Sequence, residues 1–506
     1  MLVFLLTLML TACVVHRLEV APLEVTAAEP IVVDTPVKAH LNDGSTVVFA
    51  DGVTVANGLV SGDGRLYDLT LDNSSLISEI ALADVAAMES YQTPVSTGAT
   101  TAATAAGSTG ILLGSMAAIV LIFGSCPTVY SFNGDDAALE AELFSYSITP
   151  TFQSRDIDRL DIQSIDNGVF ELEVRNEMLE THYIDQLEVL EVVHGKEQQV
   201  YPDEKGRPLV VGELSAPTRA TDQSGRDILA GVLQVDELAW SASDERLASV
   251  TADNYLDKLD FEFEVPPNTD QMALVLRARN SLLNTVLLYD VMLKEQSFGA
   301  LDWMSHDLGH LGNRMQLGLW YRKHMGMTIS VWDKTRYRKV ARLGDQGPIA
   351  WNEHAVLLPT KGEDTLKVRL SFVADNWRLD QVAAAVDAGP AKARSIPIAE
   401  AQSADGRRDD IPAFLQKADE EYLIAKPQDR VNLHFDVGEV AEDRSRTFFL
   451  ASEGYYMEWM RADWLTEQHR TSFEPGTDAL IRAIALYAEK RDVFREQFEA
   501  TKLAVR

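Results

Sequence analysis

Three groupings of side chains in this 506-residue sequence are typed and spaced for chemistry. Tyr455, Tyr456, Trp459 and Trp464 crowd four aromatic rings into one short stretch, and flat rings at that density can stack on the apolar face of a sugar. Rings so placed also fill cores, although Glu458 and Arg461 between them are costly to bury unpaired. Asp222, Ser224 and Asp227, clustered about Gly225, offer oxygens to a structural Ca²⁺, which takes about six to eight. The later bidentate glutamate of a calcium loop is missing, so the stretch reads first as an Asx-type turn between strands. His306 and His310 stand four apart, the spacing of a zinc-chelating pair on one helical face. Asp307 occupies the position where a metalloprotease needs its glutamate and Gly309 weakens the helix, which favours two surface histidines. No Gly-x-Ser-x-Gly elbow and no glycine-rich phosphate cradle is present, and Cys126 has no base beside it.

Composition narrows the remaining classes. Lys+Arg number 45 against 77 Asp+Glu, a net charge of −32, and such a field repels phosphate backbones; nucleic-acid binding is excluded as a main function. The two cysteines, Cys13 and Cys126, can build neither a disulfide framework nor a thiolate metal site. Paired carboxylates for glycoside hydrolysis are available everywhere among so many acids, so the sequence singles out no pair.

Residues 1–10 are almost wholly apolar and too short to span a bilayer, and they run into Leu10-Thr11-Ala12-Cys13. This ending resembles the bacterial lipobox. The resemblance implies a signal peptide over 1–12, a lipidated Cys13 as the first mature residue, and, with Val14 rather than Asp following it, retention at the outer membrane. An acyl chain tethers a soluble body because each buried methylene contributes about 0.8 kcal/mol. Residues 13–36, with Pro22, Pro30 and Pro36, read as the hydrated tether.

The elements that would position any site are mainly β. Over 37–92, short apolar runs alternate with Asn42-Asp43-Gly44, Asp51-Gly52 and Gly62-Asp63-Gly64, which predicts hairpins closing a small SH3-like or Sm-like β-barrel. From Ser90 to Gly134 no charged residue or histidine occurs, and Ala102, Ala106, Gly110, Gly114 and Ala118 put a stripe of small residues along one face. The expectation for 97–125 is a hydrophobic helix, buried between domains or lying on the membrane beside the anchor rather than crossing it. Residues 126–265 form a β-rich domain, 266–390 a β-sandwich-like domain with a helix capped by Asn280, and 391–506 a β/α region. It closes on a helix from Thr477 that carries Leu480, Ile484, Tyr487, Phe494 and Phe498 on one face.

The segments SCPTVYSFNG (125–134), VRNEMLETHYIDQL (174–187), DQSGRD (222–227) and RTFFLASEGYYMEWMR (446–461) resemble uncharacterised bacterial lipoproteins. Residues 126–290 are also faintly similar to the β-rich C-terminal module of secreted ASPIC and UnbV-type proteins, whose propeller repeats are absent here. Both resemblances imply an exported, β-rich protein without a catalytic mechanism. The expected function is therefore binding or structural at the cell envelope, with a protein or glycan partner and a membrane contact through Cys13 and Ala102 to Phe123. The rivals are a polysaccharide hydrolase and an assembly component that oligomerises through the striped helix.

Overall fold

The computed structural model describes residues 30–34, 37–41, 43, 45–67, 74–90, 126–134, 136–177, 180–236, 239–300, 303–308, 310–403, 406–407, 410–426, 429–458 and 473–494. The signal peptide, Cys13, the hydrophobic stretch 97–125, Trp459, Trp464 and Phe498 lie outside them. Among the described residues no helix is long and apolar enough to cross a membrane. The chain is mainly β, in antiparallel sheets with sandwich-like packing and a C-terminal helix, as the alternating patterns predict.

The chain divides into two units. In the first, seven strands make one antiparallel sheet over Val37, Ala39, Val47, Phe49, Val53, Val55, Val60 and Ile80. Asp51-Gly52 makes its turn, with Gly52 at φ +90°. A second hairpin comes from Asn57-Gly58, both at positive φ (53° and 75°), the conformation a tight two-residue turn demands. Gly62-Asp63-Gly64 makes no turn. It lies inside the strand Leu59–Tyr67, where a Cβ on Gly64 would meet the Phe49 ring at 2.7 Å. Glycine is there for close packing, not for chain reversal. The barrel prediction is corrected in one respect, since the end strands Ile31–Val33 and Val85–Ser90 do not pair with each other and the sheet is not closed.

In the second unit, three layers stack. A five-stranded sheet led by Leu256–Glu264, Thr365–Val373 and Met327–Trp332 faces a four-stranded sheet of Gln271–Asn280, Trp377–Ala385, Asn352–Pro359 and Leu214–Ser215. Phe261, Phe263, Leu274, Leu276, Val368, Leu370 and Trp377 fill the space between them. The outer side of the four-stranded sheet buries Ala273, Val275, Ala355 and Ala385 against Tyr201, Leu209 and Val211 of a three-stranded sheet. Two further sheets combine early and late segments: Val169–Arg175 pairs with Arg430–Asp436, and Glu180–Gly195 pairs with Arg444–Glu458. The boundaries expected at 265/266 and 390/391 consequently fall inside shared sheets, because each strand finds its hydrogen-bond partner more than a hundred residues away.

Asn280 does not cap a helix. It ends a strand, donates from Nδ2 to the Asn376 carbonyl and accepts from the Gln346 amide, while Ser281 Oγ accepts from Leu283 N–H at the start of the short helix Leu283–Val286. Two longer helices follow, α1 (Leu311–Met325) and α2 (Thr477–Phe494). Helix α2 buries Leu480, Ile484, Tyr487 and Phe494 as its spacing predicts. Leu370→Ala, at a fully buried position between the two facing sheets, is expected to cost about 2–5 kcal/mol in denaturant unfolding. Val340→Ala, on the exposed side of the strand Tyr337–Leu343, should change stability by less than about 0.5 kcal/mol.

Candidate functional site

A cleft of about 780 Å³ opens in the second unit between the strand Ser154–Leu160, the turn 203–208, one face of α1 and the loop 343–346. Its walls are aromatic and aliphatic: Tyr146, Phe152, Leu190, Met292, Leu317 and Met325. Arg155, Lys205, Arg207 and Arg322 bring positive charge to the same cleft, while Asp156, Asp345 and His354 supply its titratable interior.

Local sequence explains how each carboxylate is held. Asp156 sits on the same side of its strand as buried Asp158 and Leu160, and its two oxygens accept from Phe144 N–H (3.1 Å) and Ile157 N–H (2.9 Å). Asp345 accepts from Tyr321 Oη at 2.6 Å, from Asn284 Nδ2 and from Gly347 N–H at 3.4 Å. Behind it, Glu142 accepts from Ile349 N–H at 2.7 Å and from Cys126 Sγ at 2.9 Å. A Cβ on Gly347 would meet the Glu142 carboxylate at 2.5 Å, so only glycine allows this approach. Asp158 is 2% exposed, and its Oδ2 has no hydrogen-bond partner.

Burial without a matching cation raises these acids. Asp345 is pushed up to about 6 by burial, against the hydrogen bond from Tyr321. Asp156 also rises to about 6, by burial and then the nearby Asp345 charge, against the two amides. Glu142 reaches about 8, chiefly by burial. Asp158 is raised by burial and by the charges of Asp156 and Glu142. His354, whose Nε2 lies 2.8 Å from Gln346 Oε1, falls to about 4 through burial and is neutral near pH 7. The Cys126 thiol is buried and pushed up by desolvation and by Glu142 and Glu180, which makes it a poor nucleophile. The interior is thus a set of interacting acids able to hold or release protons near neutrality, beside a neutral imidazole and the Tyr321 hydroxyl.

The residues singled out from sequence lie elsewhere. Tyr455 and Tyr456 are fully buried, which corrects the sugar-platform reading for these two. Tyr455 stacks on Tyr183 at 4.5 Å, and a ring covered on its faces cannot receive a sugar. Tyr456 has a supporting part: its Oη donates to the Ser145 carbonyl and its N–H to the Ser147 carbonyl, anchoring the loop that carries Tyr146 into the cleft. Asp222 spends its oxygens on Ser224 N–H, Ser224 Oγ, Arg226 N–H and the Arg226 guanidinium, and Asp227 accepts from Leu229 N–H. The same Asp-x-x-Gly-Arg turn recurs at Asp203, with Lys205 N–H, Arg207 N–H and the Arg207 guanidinium as donors. A cation placed on Asp222 competes with a guanidinium, so Asp222, Ser224 and Asp227 form a turn rather than a calcium loop. Among the described residues no group of three or more His, Cys, Asp or Glu is arranged to hold a metal ion. His310 is exposed at the start of α1.

The cleft residues were not evident in the sequence. The one available signal was Asp156 and Asp158 sharing a strand face with Leu160, since acids seldom occupy an inward face.

No known protein family matches this chain, and neither does any curated protein. Among solved structures, a GH31 alpha-xylosidase from Xanthomonas citri is 9% identical, with 84% of this chain aligned and a TM-score of 0.15. The chain spans 38% of the length of that xylosidase. The infectious bursal disease virus Gx strain structure is 10% identical over 75% of this chain and 86% of its own, with a TM-score of 0.14. The Sulfolobus Turreted Icosahedral Virus structure is 7% identical over 66% and 90%, with a TM-score of 0.12. At such scores neither fold nor activity is transferred.

Glu142 loses its proton near pH 8 when folded and near 4.5 when unfolded. Its stabilising contribution is therefore complete below 4.5 and is lost as pH rises through about 8. His354 acts oppositely, with stability present above 6.5 and lost as pH falls through about 4. Glu142→Gln cannot ionise, so the melting temperature of this variant relative to the unaltered protein should climb steadily from pH 5 to 9. A difference independent of pH would show that Glu142 is already charged in the folded protein.

Proposed function

We propose that this chain is an exported, lipid-anchored cell-envelope protein whose larger unit binds a small amphiphilic molecule in the cleft. The observation that carries the binding reading is the cleft itself: about 780 Å³, apolar along its walls, with hydrogen-bonding acids at Asp156 and Asp345 and cationic side chains from Arg155, Lys205, Arg207 and Arg322. An occupant with an apolar body, a hydroxyl or amine toward the acids and an anionic group toward the cations satisfies each surface. Leu10-Thr11-Ala12-Cys13 supports the anchor, and the net charge of −32 supports a partner other than nucleic acid.

One observation favours a second reading, the polysaccharide hydrolase. Asp156 and Asp345 interact and both titrate near 6, so around that pH one can donate a proton to a glycosidic oxygen while the other is ionised. The aromatic walls suit a sugar ring.

For the anchor, mass spectrometry of the native protein should find an acylated Cys13 at the amino terminus, and Cys13→Ala should move the protein from the alkaline-washed membrane pellet to the supernatant. An unmodified Cys13 overturns the anchor, and retention of Cys13→Ala in the pellet assigns the hold to another segment.

For the cleft, anilinonaphthalene sulfonate should bind at one saturable site, and Gly318→Trp should abolish that site. Gly318 lies on α1 facing Phe152, and a larger side chain there enters the cleft without burdening the helix. Unchanged dye binding in Gly318→Trp rejects the cleft as the site. Release of reducing ends from an envelope polysaccharide, lost in Asp345→Asn and Asp156→Asn, would establish the hydrolase instead.

A further inference from the structure

Helix α1 has two faces, and the cleft uses only one of them. Leu317, Trp320, His324 and Met325 are buried toward the body of the unit. On the opposite side Leu311, Met315 and Leu319 are 67%, 56% and 58% exposed, at intervals of four residues, so they form one continuous apolar stripe. The exposed large apolar residues elsewhere among the described residues sit on separate strands and loops.

The charge on this helix is as unusual as its apolar face. The chain carries −32, yet α1 contains no aspartate or glutamate and ends in Arg322, Lys323 and His324. Arg322 and Lys323 are exposed, and neither has an ion-pair partner among the described residues. Nor does the helix need their charge to close its C-terminus. Arg342 does that, donating to the carbonyls of Arg322 (2.6 Å), Lys323 and Gly326 (2.9 Å). Asn313 and Gln316 complete the outer surface with uncharged polar groups.

We infer that the outer face of α1 docks on an anionic lipid bilayer, with Leu311, Met315 and Leu319 entering the headgroup boundary and Arg322 and Lys323 against the lipid charges. The pattern is that of an interfacial helix lying in the membrane plane. Charge selects the occupant: a basic, acid-free helix on a strongly acidic chain is repelled by a second copy of that chain and attracted by an anionic surface. The inference stands on α1 alone and holds whether or not Cys13 is acylated or the cleft is filled.

The test uses the full chain carrying Cys13→Ala and Gln316→Cys. The other thiol, Cys126, is buried, so a nitrobenzoxadiazole label reports from α1. Vesicles of phosphatidylglycerol with phosphatidylethanolamine should shift the label to the blue and raise its emission severalfold, whereas phosphatidylcholine vesicles should not. Lys323→Gln should weaken partitioning about fivefold, the effect of one charge at an anionic surface. Met315→Glu with Leu319→Glu, both at exposed positions that leave the core intact, should abolish the shift. A label at Lys367→Cys should stay unshifted. The inference is overturned if position 316 stays dark while the protein pellets with vesicles, or if phosphatidylcholine serves equally well. It is equally overturned if Lys367→Cys shifts in step, or if the shift appears without vesicles and grows with protein concentration, which would mean a second copy covers the stripe.

Discussion

The pairing of Arg444–Glu458 with Glu180–Gly195 is the constraint on which the larger unit depends. These two long strands run antiparallel over almost their whole lengths, with one register shift between Ile184 and Gln186. That shift turns Asp185 aside, where it accepts from the amides of Asp419 and Glu420 and from Gln153. Closing a loop of some 250 residues costs little more entropy than closing a shorter one, because the penalty grows only with the logarithm of length. Once it is closed, Tyr455 stacks on Tyr183, Tyr456 holds the loop of Ser145 and Ser147, and one wall of the cleft is in place.

The cleft then inherits an electrostatic conflict. Glu142, Asp156, Asp158 and Asp345 are carried inward by four different local reasons: strand ends, a strand face and a glycine turn. Asp156, Asp345 and Glu142 receive amide or hydroxyl donors, and Asp158 Oδ2 receives none. Hydrogen bonds to a buried carboxylate favour its charged form, yet desolvation outweighs them here and the acids retain protons at unusually high pH. Such protons are a chemical resource. A uniformly apolar floor of the same shape would be easier to bury but could neither donate to nor ionise beside a bound molecule.

Elsewhere the same residue types serve only the backbone. Asp203 and Asp222 close two near-identical turns with their own arginines, so an aspartate next to glycine marks chain reversal in this protein rather than metal binding. The contrast with Asp345 is one of partners. Arg226 neutralises Asp222 at the surface, whereas Asp345 meets only Tyr321, Asn284 and an amide in the interior.

Local pattern was enough to determine what depends on neighbours along the chain. The β character follows from period-two alternation in stretches such as Thr365–Val373, the closing helix from three-to-four spacing after Thr477, and the turns from Asp51-Gly52 and Asp222-Gln-Ser-Gly. Local signals failed where a distant contact changed their meaning. Gly64 packs under Phe49 instead of turning, Asn280 serves a strand end instead of a helix, and Tyr455 lies against Tyr183 instead of facing solvent. The domain limits, the open sheet and the cleft acids were decided by tertiary structure alone. Strand order joins residues hundreds apart, and a carboxylate becomes unusual only when other elements take away its water.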